Sequence, residues 1–425
     1  MNKKLVALAV AGAFALPLAA QAQTANVTLY GRLNMDFEFV KGKQTDGSDP
    51  TVNRVSSNSS RLGVRGTESL GGGLNAIFQI ESNVSGDTGN AASSGLASRE
   101  TFVGLQGSWG KATIGKFLMP LDDLHPIFGN APTLTTSILS TAALWAYGPS
   151  AKDAGGFDAR LGNSIRYDSP NWAGFTGALQ YSTRDSSGDT QNFVSCTPPV
   201  TATGPSTACT TPLAASATSA NGGDNGNHVS ELRHAWVAGG NLIYANGPWQ
   251  AGVAFEKNKE VRGVDLDDTD WTAAVAYDFG TIMQGFGLRL AGVYERTKYE
   301  TPTGDLKRNF WGVSGTIPVG GGKVYLFYGR ANDGSGSAAD GTTVGQLVKG
   351  PDSASQHWEV SYSYSLSPRT LLYTGYTRIN NECNAKYTFN INGYTINTSH
   401  AFNSVGDVPC NGKPGGLVFG IVHFF

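Results

Sequence analysis

The sequence has little charge and, beyond residue 22, no long hydrophobic run. Charged residues make up 15% of the 425 residues, well below the level of a typical soluble protein. A bundle of transmembrane helices needs apolar stretches of about 20 residues, and the mean hydropathy of this chain is only −0.20. The composition therefore argues against both a large soluble enzyme and a helical membrane protein.

Cysteine is also scarce, with four residues in two local pairs. Exported chains meet oxidising conditions, so the simplest of the three possible connectivities joins Cys196 to Cys209 and Cys383 to Cys410. Free thiols in loops are the alternative. Neither pair has the CxxC spacing of a zinc or thioredoxin site.

Common catalytic motifs are missing as well. The six histidines are scattered, and the sequence contains no HExxH, no GxSxG and no phosphate-binding loop. We expect no catalysis, no metal site and no cofactor; a barrel hydrolase using serine and histidine is the remaining enzymatic alternative. The formal net charge of −2 does not indicate a nucleic-acid partner.

The N-terminus predicts export. A basic start at Lys3 and Lys4 precedes an uncharged apolar run over 5–20, and Ala20-Gln21-Ala22 matches a cleavage site. We therefore expect a signal peptide over 1–22, export through the Sec pathway with cleavage after Ala22, and a mature chain over 23–425.

What the sequence does have is glycine, with 56 residues, aromatic residues at 10%, and alternation with a period of two. Such alternation predicts strands with one apolar and one polar or small face. An example is Trp271, Ala273, Val275 and Tyr277 alternating with Thr272, Ala274, Ala276 and Asp278. Polar faces suit a water-filled lumen, and apolar faces with aromatics near their ends suit a bilayer.

The connections alternate between two kinds. Tight turns rich in Gly and Pro fall near 69–73, 109–111, 169–171, 246–248, 280–285, 318–322 and 366–368. Long polar segments fall near 41–50, 87–97, 118–158, 185–229, 260–268, 300–304, 331–354 and 381–414. This pattern predicts an all-β fold: a 16-stranded antiparallel transmembrane β-barrel with short periplasmic turns and long extracellular loops.

Several segments resemble one family. Val27 to Gly31, Ser60 to Leu74, Ala76 to Ser82, Arg99 to Leu105, Asn163 to Pro170 and the terminal Phe425 are similar to motifs of the Gram-negative general porins, in the branch of Neisseria and other β-proteobacteria. The resemblance implies a homotrimer in the cell outer membrane, in contact with lipid and lipopolysaccharide. It also implies passive diffusion of small hydrophilic solutes and ions, and a third loop, 118–158, that folds into the lumen. An adhesin or receptor acting through the loops 185–229 and 381–414 is the alternative.

Charged residues of the predicted strands indicate a pore lining. Arg61 and Arg65 share a face with Gly63, and Arg166 shares a face with Ser164 and Asp168. An arginine facing lipid at the bilayer midplane costs about 2–4 kcal/mol, so these side chains should face the lumen.

The resemblance also implies a constriction with basic residues on the wall and acids on the third loop. The wall positions are Arg61, Arg99 and Arg166 with Lys116 beside them, and the facing acids are Asp122 and Asp123. The family has Gly-Arg-Gln where this chain has Gly115-Lys116-Phe117. Opposed charges would create a transverse field that sorts ions by sign, and we expect the narrowest section to favour anions. Simple pairing and solvation of the wall is the alternative.

Overall fold

The structure is a computed structural model. It describes residues 26–42, 51–89, 95–130, 137–145, 157–183, 193–196, 229–232, 235–261, 265–281, 283, 285, 287–344, 347–385, 387–389, 395–397, 400–401 and 412–425. The expected signal peptide over 1–22 and most of the 185–229 loop lie outside these ranges. Both stay predictions.

Sixteen strands form one closed antiparallel barrel, which confirms the predicted fold. The strands are β1 Asn26–Lys41, β2 in two segments Thr51–Ser57 and Arg61–Gly71, β3 Leu74–Asn83, β4 Thr101–Gly107, β5 Gly110–Leu118, β6 Arg160–Asp168, β7 Phe175–Ser182, β8 Trp236–Asn246, β9 Trp249–Lys259, β10 Asp268–Asp278, β11 Arg289–Thr301, β12 Gly304–Val319, β13 Gly322–Ala331, β14 Ser355–Ser367, β15 Thr370–Asn381 and β16 Gly415–Phe424. Each pairs with its chain neighbours, and β1 pairs with β16 from Arg32↔Phe424 to Lys41↔Gly415. Closure leaves no unpaired edge strand.

Among the described residues, three short antiparallel strand pairs and four short helical turns lie in the connections. The strand pairs join Phe193–Cys196 to Val229–Leu232, Thr343–Val344 to Leu347–Val348, and Thr395–Asn397 to His400–Ala401. The helical turns are Asp122–Leu124, α1 His125–Phe128, Thr141–Ala143 and Phe279–Thr281. No helix in the described part of the chain is long and apolar enough to cross a membrane.

Two local features differ from the sequence pattern. Strand β2 is interrupted at 58–60, where Ser59 has a φ of 51°, so β1 pairs first with one segment and then with the other. The connection expected to be long near 300–304 is a two-residue turn, because the ladder between β11 and β12 continues to Thr301↔Gly304. Its flanking residues Glu300, Thr301 and Gly304 belong to the strands β11 and β12.

The alternation of faces is as predicted. In β10, Trp271 and Val275 are 58% and 44% exposed on the outside, whereas Thr272 and Ala276 are buried on the inside. Aromatic pairs follow the two rims. Near the short turns these are Trp109–Tyr167, Phe175–Tyr244 and Trp249–Tyr277, and near the long connections Tyr181–Trp236, Phe255–Trp271 and Trp358–Tyr376. Two aromatic belts around an apolar band are typical of barrels in the outer membrane.

The third connection runs inside the barrel. Phe128 and Trp145 are fully buried, and their rings meet at 5.6 Å. The Phe128 carbonyl accepts hydrogen bonds from Ser314 Oγ at 2.9 Å and Tyr325 Oη at 3.1 Å, both on the inner face. Farther along, Asn130 Nδ2 donates to Ser361 Oγ at 2.9 Å. This segment therefore spans the inner wall from β12 to β14 and fills part of the lumen.

Cys383 is disulfide-bonded. Cys209, Cys410 and the side chain of Cys196 lie outside the described residues, so the pairing of Cys196 with Cys209 and of Cys383 with Cys410 stays a prediction.

Reduction of the disulfides is expected to leave the barrel folded, because the strand ladders do not depend on the connections that the cysteines close. Each loop closure would contribute about 3–4 kcal/mol to its own connection in the chain-entropy model. Circular dichroism before and after reduction measures whether the barrel stays folded. Peptide mapping under non-reducing conditions identifies which cysteines are joined. A fragment joining Cys196 to Cys383 would contradict the local pairing.

Candidate pore constriction

Three arginines surround one carboxylate on the inner face of β1–β4. Glu81 on β3 accepts a hydrogen bond from Arg99 Nε at 2.5 Å, and Arg61 Nε lies 3.7 Å from its other oxygen. Arg32 pairs with Arg61 in the ladder between β1 and β2 and donates to the Ser59 carbonyl at 3.2 Å. We call Arg32, Arg61 and Arg99 the arginine cluster. It carries three positive charges around a single negative one.

The strand sequences explain how the cluster is held. Gly63 pairs with both Tyr30 and Glu81, and the Tyr30 hydroxyl donates to Glu81 Oε2 at 3.0 Å. A Cβ atom on Gly63 would lie 2.5 Å from the Tyr30 ring, so only glycine lets this ring lie flat on the wall. Tyr30 thereby holds the Glu81 carboxylate in place, and this carboxylate orients Arg61 and Arg99.

Arg166 forms a second group together with the beginning of the third connection. Its guanidinium donates to Asp168 Oδ1 at 2.9 Å, to the Leu118 carbonyl at 3.0 Å and to Asp123 Oδ2 at 2.6 Å. Asn241 Nδ2 donates to the same Asp123 oxygen at 2.8 Å. Burial raises the pKa of Asp123, and the Arg166 guanidinium opposes that rise. The positive charge of Arg166 is therefore matched by two carboxylates.

The side chain of Asp122 lies near His125, whereas that of Asp123 pairs with Arg166. Its Oδ1 lies 4.0 Å from Nε2 of His125, and Asp158 Oδ2 lies 3.9 Å from the same nitrogen. Burial raises the pKa of Asp122 to about 6, with Arg160 opposing, and that of Asp158 to about 8. Burial also lowers the pKa of His125 to about 3, so its imidazole is neutral at physiological pH.

Among the described residues, the other two predicted constriction residues form no ion pair with these groups. Arg65 shares the inner face with Arg61, and its guanidinium carbon lies 5.0 Å from the centre of the Tyr30 ring. Lys116 pairs with Thr101 beside a register shift in β5. Within the described residues, no hydrogen bond or ion pair joins Lys116 to the arginines or to Asp122 and Asp123. Its role in a constriction stays a prediction.

Carboxylates collect on the opposite arc of the barrel. Glu256, Asp270 and Glu295 lie on β9, β10 and β11, and all three are buried behind the third connection. Glu295 forms an ion pair with Arg308. In a ring of sixteen strands β10 lies diametrically opposite β2. A field across the lumen between the arginine cluster and these carboxylates stays a prediction.

Sequence reasoning missed Arg32, His125 and Asp158. Arg32 lies two residues after Tyr30 in β1, so alternation could have placed Arg32 on the same inner face. The nearness of Arg32 to Arg61, however, depends on the register between β1 and β2. His125 and Asp158 lie at the two ends of the third connection. Only the path of that connection through the barrel brings them together.

Comparison with known proteins agrees with this architecture. A sequence model of the family described as Gram-negative porin matches residues 7–384. The chain belongs to this family. Outer membrane porin protein 32 of Delftia acidovorans is 29% identical to this porin over 382 residues, which cover 88% of each chain. Major outer membrane protein P.IB of Neisseria sicca is 36% identical over 191 residues, covering 44% of this porin and 48% of that protein.

A solved structure shows the same barrel. The anion-selective porin from Comamonas acidovorans aligns with a TM-score of 0.64 and 25% sequence identity, covering 94% of this chain and 100% of that one. The family, the relatives and the closed barrel establish an outer-membrane channel for passive diffusion. Family and fold indicate a channel rather than an enzyme.

Proposed function

We propose that this porin, after removal of residues 1–22, forms a homotrimer whose channels pass small hydrophilic solutes and prefer anions. The outer faces would contact outer-membrane lipid and lipopolysaccharide, and no nucleic acid, cofactor or catalytic step is involved. The homotrimer rests on the family and on solved porins of the same fold, one of which is described as a trimer form.

The arginine cluster is the observation that supports anion preference. Arg32, Arg61 and Arg99 outnumber Glu81 by three charges to one, whereas the single positive charge of Arg166 faces two carboxylates, Asp123 and Asp168. The side chain of Arg61 is 30% exposed, more than those of Arg99 and Arg166 at 11% each. Because Arg61 is partly exposed and its contact with Glu81 is as long as 3.7 Å, its positive charge can attract anions in the lumen. The solved relative described as anion-selective supports the same preference.

The two parts of the proposal have separate tests. Purified protein in liposomes is expected to raise permeability to small sugars, and in planar bilayers it is expected to give stepwise channels. Under a potassium chloride gradient, the reversal potential should lie nearer to the equilibrium potential of chloride than to that of potassium. Liposomes that stay impermeable would contradict the channel. A reversal potential nearer to the equilibrium potential of potassium would contradict only the anion preference.

A further inference from the structure

The structure assigns a divalent transition-metal site to Asp122, His125 and Asp158, at the base of the third connection. Asp122 and His125 follow the end of β5, and Asp158 precedes the start of β6. An ion bound here would join the two ends of the segment that fills the lumen. The inference goes beyond diffusion through the pore, since binding can be measured without any conductance.

The ligand atoms are already close together. The two carboxylate oxygens and a ring nitrogen lie within 4.8 Å of one another. Two ligands at about 2.1 Å from a zinc ion in tetrahedral geometry are about 3.4 Å apart. The two distances from His125 Nε2, 4.0 Å to Asp122 and 3.9 Å to Asp158, exceed this by about half an ångström. Small rotations of the two aspartate side chains would close that gap.

His125 is what distinguishes this cluster from an ordinary group of acids. Its side chain is 1% exposed, and neither ring nitrogen has a hydrogen-bond partner among the described residues. Buried polar atoms without partners are rare, because the lost hydration costs free energy. The ring stacks on Trp145 with centroids 4.2 Å apart, which fixes its orientation. The unpartnered Nε2 is thereby held between two carboxylates.

The surroundings suit a dication that enters from the lumen. Neither Asp122 nor Asp158 has a lysine or arginine within 4.0 Å in the described chain, and both side chains are 25% exposed. Asp158 also experiences the negative charge of Glu295 and Glu256 on the wall. Arg160 acts on both Asp122 and Asp158 in the opposite sense. On binding an ion, the two aspartates would each supply one negative charge and release any proton they hold, which balances the charge of one divalent ion.

The donor set also indicates the class of metal. Calcium and magnesium prefer sites made entirely of oxygen ligands, whereas an imidazole ligand favours zinc and its neighbours in the first transition row. With three protein ligands, a fourth position would be left for water. Zinc is therefore the probe we choose, with calcium as the competitor.

The test uses the folded barrel protein after treatment with a chelator. Titration calorimetry is expected to show saturable binding of one Zn²⁺ per chain that millimolar Ca²⁺ does not displace. Asp122→Asn and Asp158→Asn should each weaken binding by at least about tenfold, since even supporting residues of metal sites contribute about 10–100-fold. Asp87→Asn, the same change on an exposed aspartate, is the matched control and should leave binding unchanged.

Anomalous scattering at the zinc edge from wild-type crystals tests the site without any substitution. A peak between Asp122, His125 and Asp158 is expected. Absence of saturable Zn²⁺ binding, a peak only elsewhere, or full affinity in the Asp122→Asn and Asp158→Asn variants would overturn the assignment. None of these results would bear on whether the barrel conducts.

Discussion

Replacing Arg61 and Arg166 together with serine is expected to raise single-channel conductance and to lower the ratio of anion to cation permeability. Both side chains lie on the inner wall, and the change removes two positive charges together with their volume. A unit charge acts on an ion at 4 Å in water with about 1 kcal/mol. A fall of the permeability ratio by roughly fivefold is therefore the expected order of magnitude for the loss of one uncompensated charge, since about 1.4 kcal/mol corresponds to a factor of ten.

The two single variants are expected to differ. Arg61 keeps only a 3.7 Å contact to Glu81, so Arg61→Ser should account for most of the change in selectivity. Arg166 holds Asp123 and the Leu118 carbonyl, so Arg166→Ser should loosen the third connection and increase current fluctuations.

Reversal potentials at low and high salt measure these effects. The selectivity change should shrink at 1 M salt, where the Debye length is about 3 Å. Lys323→Ser removes one exposed charge beside a short turn and serves as the control with little expected effect. An unchanged reversal potential in the double variant at low salt would show that Arg61 and Arg166 lie outside the ion path.

Replacing Phe128 with alanine is expected to release the third connection from the wall while the barrel stays folded. Phe128 is fully buried against Trp145 and Phe327, with ring centroids at 5.6 Å and 5.4 Å. Truncating a buried phenylalanine to alanine typically costs about 3–5 kcal/mol. The undocked population should rise by about two to four orders of magnitude, since each factor of ten corresponds to about 1.4 kcal/mol.

The expected signs of undocking are a larger and noisier open current and faster proteolysis within the third connection. The thermal transition of the barrel, followed by circular dichroism, should change little. Phe128→Leu keeps most of the buried volume and is the matched control. A quiet channel of normal conductance in Phe128→Ala would show that this side chain does not hold the connection in place.

The local sequence pattern was enough to predict the strands, the inner and outer face of each strand and the order of the elements. Alternation placed Arg61 and Arg166 on one face because the side-chain direction in a strand depends only on parity. Parity cannot show which arginines meet across the ladder, so Arg32 was missed. The pairing of Asp123 with Arg166 and the approach of His125 to Asp158 depend on how a long connection packs against distant strands. No local rule contains that information.

The inner wall carries a row of glycines where the third connection docks. A Cβ atom would lie 2.9 Å from Ile127 at Gly252, 2.9 Å from Phe128 at Gly312, 2.9 Å from Leu139 at Gly375 and 2.5 Å from Ile138 at Gly416. These glycines belong to β9, β12, β15 and β16, which follow the third connection in the chain. Contacts between segments far apart in sequence form late in folding, because a long loop must close first. The docking surface is therefore complete only when the last strand has joined the barrel, so the lumen can narrow fully only in a closed barrel.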